Sequence, residues 1–316
     1  MQKQIPLIII CGPTASGKTA LGIDLAVKYN GEIVSADSMQ VYKEVDIATA
    51  KPDNNELKKV RHFLISELSL SEEFSAFDFV NYANRYIKEI AAHGKIPIIV
   101  GGTGLYIRSL IYGISDAPGR NESVRKNLRR RIENSGLDDL YTELLEKDRE
   151  YALSISKNDP VRIIRALEVY YITGKPFSHF IKTHRKRKLY NPLWFGIDIE
   201  RKELYDRINR RVLKMLDSGL IEETKKILEI KNKNNNILNK IIGYQEIKRY
   251  LEGKADLQEV VQEIQKRTRR YAKRQLTWFR KEKDIIWVDL KNKNKIYKLV
   301  EDYLNNFSAG RSYYGG

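Results

Sequence analysis

A short glycine-rich stretch near the N-terminus carries the residue types that bind phosphate. Residues 12–19 read GPTASGKT and match the pattern G-x-x-x-x-G-K followed by Ser or Thr, between an apolar run and a helical pattern. In such a loop the backbone N–H groups point at phosphate oxygens, Lys18 adds a positive charge, and the Thr19 hydroxyl can bind Mg²⁺. The pattern predicts phosphate binding by residues 12–19, which we call the phosphate loop. It does not define the reaction.

A carboxylate follows the second apolar run of the chain. Residues 33–42 read IVSADSMQVY, which puts Asp37 at the carboxyl end of a predicted strand, where sites collect in open α/β sheets. Asp37 is a candidate for a direct catalytic role. Two other interpretations are open: Asp37 or Ser38 caps a following helix, or Asp37 is a ligand of Mg²⁺.

A second glycine-rich turn follows the third apolar run. Residues 98–107 read IIVGGTGLYI, so a buried strand is predicted to end in Gly101, Gly102, Thr103 and Gly104. The glycines would allow the backbone to approach a ligand closely, and the Thr103 hydroxyl could bind a phosphate oxygen. A tight turn with positive φ, with Thr103 as a helix cap, explains the same residues equally well.

Elements that place these loops together are predicted from hydrophobic patterning. Apolar runs without alternation, separated by helical patterns such as 18–29 and 75–93, indicate a parallel sheet covered on both faces. The predicted strands are residues 7–11, 32–36, 96–100, 193–199 and 285–290. We therefore predict an α/β fold with a P-loop NTPase-like parallel sheet core, helices on both faces and a helical insertion.

The predicted core consists of two segments, residues 1–120 and 184–306, the second of which ends in a helical block. Residues 121–183 are charged and helix-patterned, without a convincing strand, and read as the insertion, with residues 182–190 as its exposed exit. Residues 307–316 end in glycines, lack periodicity and are predicted to be disordered.

The net charge of the chain bears on the kind of molecule that it binds. The chain has a formal net charge of +16, and nine basic residues lie between Lys266 and Lys283 with one acidic residue among them. Such clustering favours a polyanion such as RNA, although a solvated basic surface is the alternative. The single cysteine, Cys11, is predicted to be a buried apolar residue, and the four histidines lack metal-ligand spacing. Apolar runs too short for a bilayer and the absence of a signal-peptide pattern lead us to expect a cytoplasmic protein.

Six motifs occur in a fixed order along the chain: GPTASGKT, SADSMQVYK with ATAKP, GGTGLYI, NDPVRIIRALEVYYITGKP, IIGYQE and TRRYAKRQLTWFR. Together they resemble the tRNA dimethylallyltransferases in their bacterial form, over roughly residues 5–290. Two positions depart from the pattern of that family. Gln245 stands where the family often has a basic residue, and Lys281 where it often has glycine.

The resemblance implies a reaction. The dimethylallyl group of dimethylallyl diphosphate is transferred to N6 of adenine 37, beside the anticodon of tRNA, with release of diphosphate and formation of N6-dimethylallyladenosine. Phosphate loops usually bind ATP or GTP, but here the loop and Mg²⁺ would stabilise the leaving diphosphate. The partners implied are tRNA and dimethylallyl diphosphate. A monomer is expected.

The resemblance also assigns residues. Asp37 matches the general base, and Lys18 and Thr103 complete the catalytic set. The diphosphate pocket matches Gly12, Pro13, Thr14, Ala15, Ser16, Gly17, Lys18 and Thr19. The tRNA contacts match Asp37, Ser38, Met39, Gln40, Thr103, Arg125, Val161, Arg162, Ile163, Ile164, Arg165, Lys240, Ile241, Ile242, Gly243, Tyr244 and Gln245. The insertion would clasp the anticodon loop.

Three other functions fit parts of the sequence. A small-molecule kinase would use the phosphate loop but leaves the six motifs and the charge unexplained. An adenylate isopentenyltransferase would not need the insertion, and a non-catalytic RNA-binding protein would have no use for Lys18, Thr19 and Asp37.

Overall fold

The computed structural model describes residues 5–184, 190–231 and 233–309. The chain divides into two compact units, Met1–Ile111 with Leu189–Gly316, and Tyr112–Lys188. The insertion predicted at residues 121–183 lies within the limits of the second unit. Its role at the anticodon loop stays a prediction.

A six-stranded parallel sheet forms the centre of the first unit. Its strands are β1 (Ile8–Cys11), β2 (Gly31–Ser35), β3 (His62–Phe63), β4 (Ile96–Gly101), β5 (Leu193–Ile197) and β6 (Ile286–Val288), in the spatial order β3-β2-β4-β1-β5-β6. The predicted α/β fold is confirmed. Five strands match the predicted apolar runs, while the edge strand β3 was missed because two residues carry no periodic signal.

Helices surround this sheet. In the first unit they are α1 (Lys18–Lys28), α2 (Asn54–Lys59), α3 (Ala76–Ala92), α4 (Gly104–Tyr112), α10 (Arg201–Asp217), α11 (Leu220–Glu229), α12 (Asn235–Leu238), α13 (Tyr244–Leu251), α14 (Leu257–Phe279) and α15 (Lys293–Ser308). In the second unit they are α5 (Glu122–Ser135), α6 (Leu137–Lys147), α7 (Arg149–Ser154), α8 (Pro160–Thr173) and α9 (Phe177–Thr183). Across the residues that the structure describes, no helix is both long and apolar enough to cross a membrane.

Helices α1 and α15 pack on one face of the sheet. Leu21 and Leu25 of α1 and Val300 of α15 join one apolar cluster with alternate residues of the central strands. The hydroxyl of Tyr303 in α15 accepts a hydrogen bond from the backbone N–H of Leu7 at 3.0 Å, which ties the end of the chain to the start of β1. Cys11 is fully buried, as predicted, and burial raises the pKa of its thiol to about 12.

The C-terminal helix is longer than the sequence pattern indicates. It continues to Ser308, so residues 307 and 308 are helical although they were assigned to a disordered tail, and Phe307 packs against the apolar cluster of α15. Residues 310–316 lie outside the described residues, as do residues 185–189 of the predicted exit segment.

The second unit is a bundle of five helices with its own core. Leu128, Leu140, Leu144, Ile163 and Leu167 form the centre of its apolar cluster. Each helix except α6 and α9 starts with a side-chain cap, for example Asn121 on the N–H of Val124 and Asp159 on the N–H of Arg162.

A fully buried carboxylate lies in this bundle. Glu168 of α8 accepts two hydrogen bonds from Arg125, at 2.7 and 2.9 Å, one from Arg165 at 2.7 Å and one from the backbone N–H of Asn121 at 2.7 Å. Burial alone would raise the pKa of Glu168, but the hydrogen bonds from Arg125, Asn121 and Arg165 outweigh it and hold the pKa below its ordinary value. The stability that this carboxylate contributes is therefore present above the ordinary range near pH ~4.3 and is lost as pH falls through the lowered pKa.

Replacing Glu168 should unfold the bundle selectively. Glu168→Ala leaves two partly buried guanidinium groups without their acceptor, which costs about 3 kcal/mol when a buried ion pair is broken. We expect faster hydrogen exchange of the α8 amides in the full chain. Glu146→Ala, an exposed carboxylate of α6 in the same unit, is the matched control and should leave this exchange unchanged. Equal protection in both variants would contradict the prediction.

Candidate active site

Three loops meet at the carboxyl edge of the sheet. The phosphate loop follows β1, residues 36–40 (the Asp37 loop) follow β2, and residues 101–104 (the glycine loop) begin at the last residue of β4. The three strands are adjacent in the sheet in the order β2, β4, β1, so their loops are neighbours. The carboxyl edge of a parallel sheet is where open α/β folds bind ligands.

The phosphate loop has the backbone that its sequence predicts. Gly17 has φ 95°, a left-handed conformation that favours glycine, and Ala15 also has a positive φ of 63°. A side chain at Gly12 would place its Cβ 2.9 Å from the Ser16 Oγ. The loop leads directly into α1, whose N-terminus adds partial positive charge.

Lys18 is the half-buried cation at the centre of this site. Its Nζ donates a hydrogen bond to the backbone oxygen of Pro13 at 3.3 Å. Burial lowers the pKa of Lys18 to about 8. The negative charge of Asp37 opposes this shift, and the positive charge of Arg211 adds to it. An anion bound at Lys18 would stabilise the charged ammonium group and raise its pKa again.

Two arginines of α10 contact the phosphate loop, and sequence reasoning missed both. Arg207 Nη1 donates to the backbone oxygen of Ser16 at 3.3 Å, and Arg211 Nη1 donates to the Thr14 Oγ1 at 3.3 Å. Burial lowers the pKa of Arg211. Their four-residue spacing puts both on one helix face, but a helix with several arginines gives no signal that tells these two from the others.

The Asp37 loop is held by the glycine loop. Asp37 Oδ1 accepts a hydrogen bond from the N–H of Met39 at 2.9 Å. The N–H of Ser38 donates to the Thr103 Oγ1 at 3.1 Å, and the N–H of Thr103 donates to the Ala36 oxygen at 3.1 Å. The helix-cap interpretation of Asp37 and Ser38 is wrong, because no helix follows them until α2. Thr103 does directly precede α4, and its backbone oxygen accepts from the N–H groups of Tyr106 and Ile107, while its hydroxyl binds Ser38.

The structure explains the glycines of this loop neither by approach to a ligand nor by positive φ angles. Gly101, Gly102 and Gly104 do not have positive φ angles. A Cβ on Gly101 would lie 2.2 Å from the Ala36 oxygen, one on Gly102 would lie 2.1 Å from the Gln275 Nε2, and one on Gly104 would lie 2.3 Å from the Trp278 ring. The glycines allow close approach of the protein itself: the Asp37 loop on one side and α14 on the other.

A cavity of about 570 Å³ opens between these loops and helices α10, α11 and α14. Thr14, Lys18, Asp37 and Arg211 line its polar part. Its apolar lining consists of Ala48, Val212, Met215, Leu220, Ile241, Ile242 and Ile264. Its basic lining consists of Lys240, Arg267, Arg270 and Arg274. The cavity thus offers cationic groups, a carboxylate and an apolar wall within one space.

Beside it lies a smaller cavity of about 20 Å³ with both polar and apolar lining residues. Thr19, Ser35, Asp37, Gln40 and His62 line it together with Lys18. Hydroxyl and carboxylate oxygens are the ligands that Mg²⁺ prefers, so the residues around this cavity fit that ion. His62 was missed by sequence reasoning; its Nδ1 lies 2.8 Å from the Val60 oxygen, and its buried Nε2 has no hydrogen-bond partner among the described residues.

Comparison with known proteins identifies the family. Residues 40–282 match the family model of the IPP transferases. The chain belongs to the IPP transferase family. It is 44% identical to a tRNA dimethylallyltransferase of Acetivibrio thermocellus, over 95% of this chain and 98% of the relative, and 44% identical to another of Caldanaerobacter subterraneus, over 97% and 98%.

Solved structures of the family have the same fold. A tRNA isopentenylpyrophosphate transferase from Bacillus halodurans is 37% identical, with a TM-score of 0.72, over 98% of this chain and 99% of that one. A eukaryotic dimethylallyltransferase described as acting on tRNA is 29% identical, with a TM-score of 0.82, over 98% of this chain and 80% of that one.

The positions predicted to contact tRNA in the first unit differ in their accessibility. Gln40 is fully engaged inside the protein, because its amide donates to the oxygens of Thr49 and Ala50 and accepts from Ser35. Ile241, Gly243 and Tyr244 are buried, whereas Lys240 is exposed and lines the large cavity. Gln245 donates to the Asn239 side chain at 2.7 Å.

The positions predicted to contact tRNA in the second unit also include both exposed and buried residues. Val161 and Arg162 of α8 are exposed, while Ile163 and Ile164 are buried in the core of the bundle. Arg125 and Arg165 are bound to Glu168. A charge reversal at either arginine would therefore place a carboxylate against Glu168 and disturb the bundle as well as any RNA contact.

The lowered pKa of Lys18 predicts how anion binding depends on pH. A bound anion stabilises the charged ammonium, so affinity is full below a pH of about 8 and falls as pH rises through that value, where binding must take up a proton. Inorganic diphosphate, titrated without Mg²⁺ between pH ~6.5 and ~9.5, should bind progressively more weakly above pH 8. Arginine stays charged throughout, so Lys18→Arg measured in the same buffers corrects for titration of the ligand. A constant ratio of the two dissociation constants would contradict the prediction.

Proposed function

We propose that the chain transfers the dimethylallyl group of dimethylallyl diphosphate to N6 of adenine 37 of tRNA, releasing diphosphate. One observation carries the proposal. Lys18 and Arg211, the carboxylate of Asp37 and an apolar wall line the same cavity. These groups meet the three needs of the reaction: a site for the leaving diphosphate, a base for the acceptor nitrogen and a pocket for a hydrocarbon chain.

The cations act on the leaving group. N6 attacks C1 of the dimethylallyl group, the C1–O bond breaks, and diphosphate leaves with the electron pair. Negative charge grows on the departing oxygens, and preorganised cations in a water-poor site stabilise it strongly. Lys18 and Arg211 supply these charges, and Arg211 also contacts the Thr14 side chain. The remaining N–H groups of the phosphate loop add hydrogen bonds.

Asp37 acts on the acceptor. The lone pair of adenine N6 is delocalised into the ring, so the amine is a weak nucleophile, and it becomes acidic as the new C–N bond forms. Asp37 can orient the amine and then take its proton. One of its oxygens accepts the Met39 N–H, which fixes the carboxylate, and the other has no hydrogen bond within the described residues.

We propose Mg²⁺ as the metal of the reaction, held by Thr19 with Asp37 nearby. When bound, Mg²⁺ would add Lewis-acid stabilisation to the diphosphate. Support comes from the Thr19 and Ser35 hydroxyls and the Asp37 carboxylate, which line the same small cavity.

The apolar wall would hold the five-carbon chain. Val212 and Met215 of α10 and Ile264 of α14 face the cavity, and Met215 lies one helical turn beyond Arg211. Adenine must leave its stack to reach the cavity, because the chemistry needs N6 beside the allylic carbon. All these residues belong to one chain, so we propose a monomer, and tRNA as acceptor leads us to propose a cytoplasmic location.

Labelled dimethylallyl diphosphate tests the proposal directly. The chain is incubated with the donor and, in separate reactions, unmodified tRNA, AMP, or ATP plus small acceptors. We expect labelled adenosine in tRNA alone. Label in AMP instead would indicate a free-nucleotide transferase, and ATP turnover would indicate a kinase.

Removal of the base should slow the chemistry and spare binding. Asp37→Asn keeps the size and one acceptor but loses basicity, so turnover should fall by about 10²–10⁴-fold, with the dissociation constants of both substrates little changed. Lys18→Ala, assayed in parallel by turnover and tRNA gel shift, should lose transfer and keep tRNA binding. An unchanged rate in Asp37→Asn with altered Mg²⁺ dependence would make Asp37 a metal ligand and not the base.

Salt dependence of tRNA binding tests the basic side of the cavity. Arg270 and Arg274 line the cavity and make no ion pair among the described residues, unlike Arg267, which is bound to the buried Glu246. Each contact to phosphate adds nearly one to the log–log slope of affinity against salt. Arg270→Gln should therefore reduce the slope by about 1. Lys298→Gln on α15, an equal change of charge on an exposed residue, should not. Equal slopes would mean that Arg270 does not meet phosphate.

A further inference from the structure

One side chain joins the phosphate loop to the glycine loop. Gln275 of α14 is 6% exposed, and both ends of its amide are used. Its Oε1 accepts a hydrogen bond from the backbone N–H of Thr14 at 2.9 Å, and its Nε2 donates one to the backbone oxygen of Gly102 at 3.0 Å. Sequence reasoning quoted the motif that contains Gln275 but gave this residue no role.

This contact removes one donor from the phosphate loop. The N–H of Thr14 is bound to Gln275, so it does not point at a ligand. The N–H groups that remain for phosphate are those on the Lys18 side of the loop. The hydrogen bond to Gln275 therefore restrains the position of the first half of the phosphate loop.

The same amide reaches the Asp37 loop through the glycine loop. Gly102 is followed by Thr103, which bonds the Asp37 loop twice: its N–H to the Ala36 oxygen and its Oγ1 to the Ser38 N–H, each at 3.1 Å. Hydrogen bonds thus connect Thr14 to Gln275 and Gln275 to Gly102, and the next residue, Thr103, is hydrogen-bonded to the residues on either side of Asp37.

Only an amide fits this position. One end of the side chain must accept and the other must donate, because it meets a backbone N–H and a backbone oxygen. A methionine would fill the space but leave both backbone groups buried without partners. A glutamate could serve Thr14 but would place an oxygen against the Gly102 oxygen.

We infer that Gln275 is a positioning residue that sets the separation between the diphosphate and the carboxylate of Asp37. The inference rests on the proposed function, in which the phosphate loop holds the leaving group and Asp37 the acceptor nitrogen. Bond formation and bond breaking occur on the same carbon, so the two loops must stand at one fixed distance. Misplacement of reacting groups by about 1 Å can cost about 10²-fold in rate.

The test uses Gln275→Met in the full chain, with Gln262→Met on the exposed face of the same helix as the matched control. Single-turnover rates are measured with saturating tRNA and dimethylallyl diphosphate, and the dissociation constants of both substrates separately. We expect Gln275→Met to lower the rate about 10- to 100-fold, with each dissociation constant changed less than about threefold. The control should match the wild type. A saturated rate in Gln275→Met within twofold of wild type overturns the inference.

A double-mutant cycle separates positioning from general loosening of the fold. If Gln275 acts through the placement of Asp37, then Asp37→Asn costs much less in the Gln275→Met background than in the wild type. Additive losses overturn the inference. Should Gln275→Met fail to fold, Gln275→Asn keeps the amide but shortens it by one carbon, and the same cycle applies with the same two outcomes.

The wild-type arm distinguishes this inference from the proposed function. A wild-type chain that does not modify tRNA with dimethylallyl diphosphate contradicts the proposed function. An active wild type with an equally active Gln275→Met contradicts the role of Gln275 alone.

Discussion

The desolvated ammonium group of Lys18 is the constraint around which the active site of the first unit is arranged. A desolvated cation is unfavourable, and desolvation lowers the pKa of Lys18 to about 8. Arg211 adds a second, half-buried cation where it contacts the same loop, and Asp37 compensates only in part. The site is thus preorganised for an anion that the protein does not supply. A bound diphosphate would compensate the positive charge of Lys18 and Arg211. The same two cations would stabilise the negative charge that develops on the phosphate oxygens during the reaction, and so lower its barrier.

Sequence patterns predicted most of the sheet and the loops that face this cation. Apolar runs gave five of the six strands, and the glycine and lysine spacing gave the conformation of the phosphate loop at Gly17. Parallel strands then bring Asp37 and Thr103 beside it, because all three loops leave adjacent strands at one edge. The edge strand β3 and the C-terminal turn at Ser308 were not predictable, since two residues have no period and a helix end depends on packing against the sheet.

The contacts made by α10 and α14 were beyond sequence reasoning for a different reason. Arg211 meets Thr14 across 197 residues of chain, and Gln275 meets it across 261. Neither residue is distinguished by local spacing from its neighbours on an amphipathic helix. Likewise, resemblance to a family placed Arg125 and Arg165 among RNA contacts, but only the structure shows that both are bound to the buried Glu168. A motif gives the position of a residue, whereas its partner depends on the tertiary fold.

The glycine loop is a local sequence motif whose role depends on a tertiary contact, the packing of α14 against it. Without side chains at Gly102 and Gly104, α14 lies directly against the edge of the sheet, with Gln275 and Trp278 filling the space that side chains would occupy. Helical spacing puts the exposed residues Lys266 and Lys273 on the face opposite Gln275, whereas the exposed Arg270 and Arg274 line the large cavity. One rigid helix therefore presents charge for a polyanion on one face and fixes the phosphate loop with the other. Because a helix moves as a unit, a polyanion bound to its basic face is held at a defined distance from the phosphate loop and from Asp37. The accuracy with which an acceptor base meets the donor then depends on how closely α14 packs, and hence on the absence of side chains at Gly102 and Gly104.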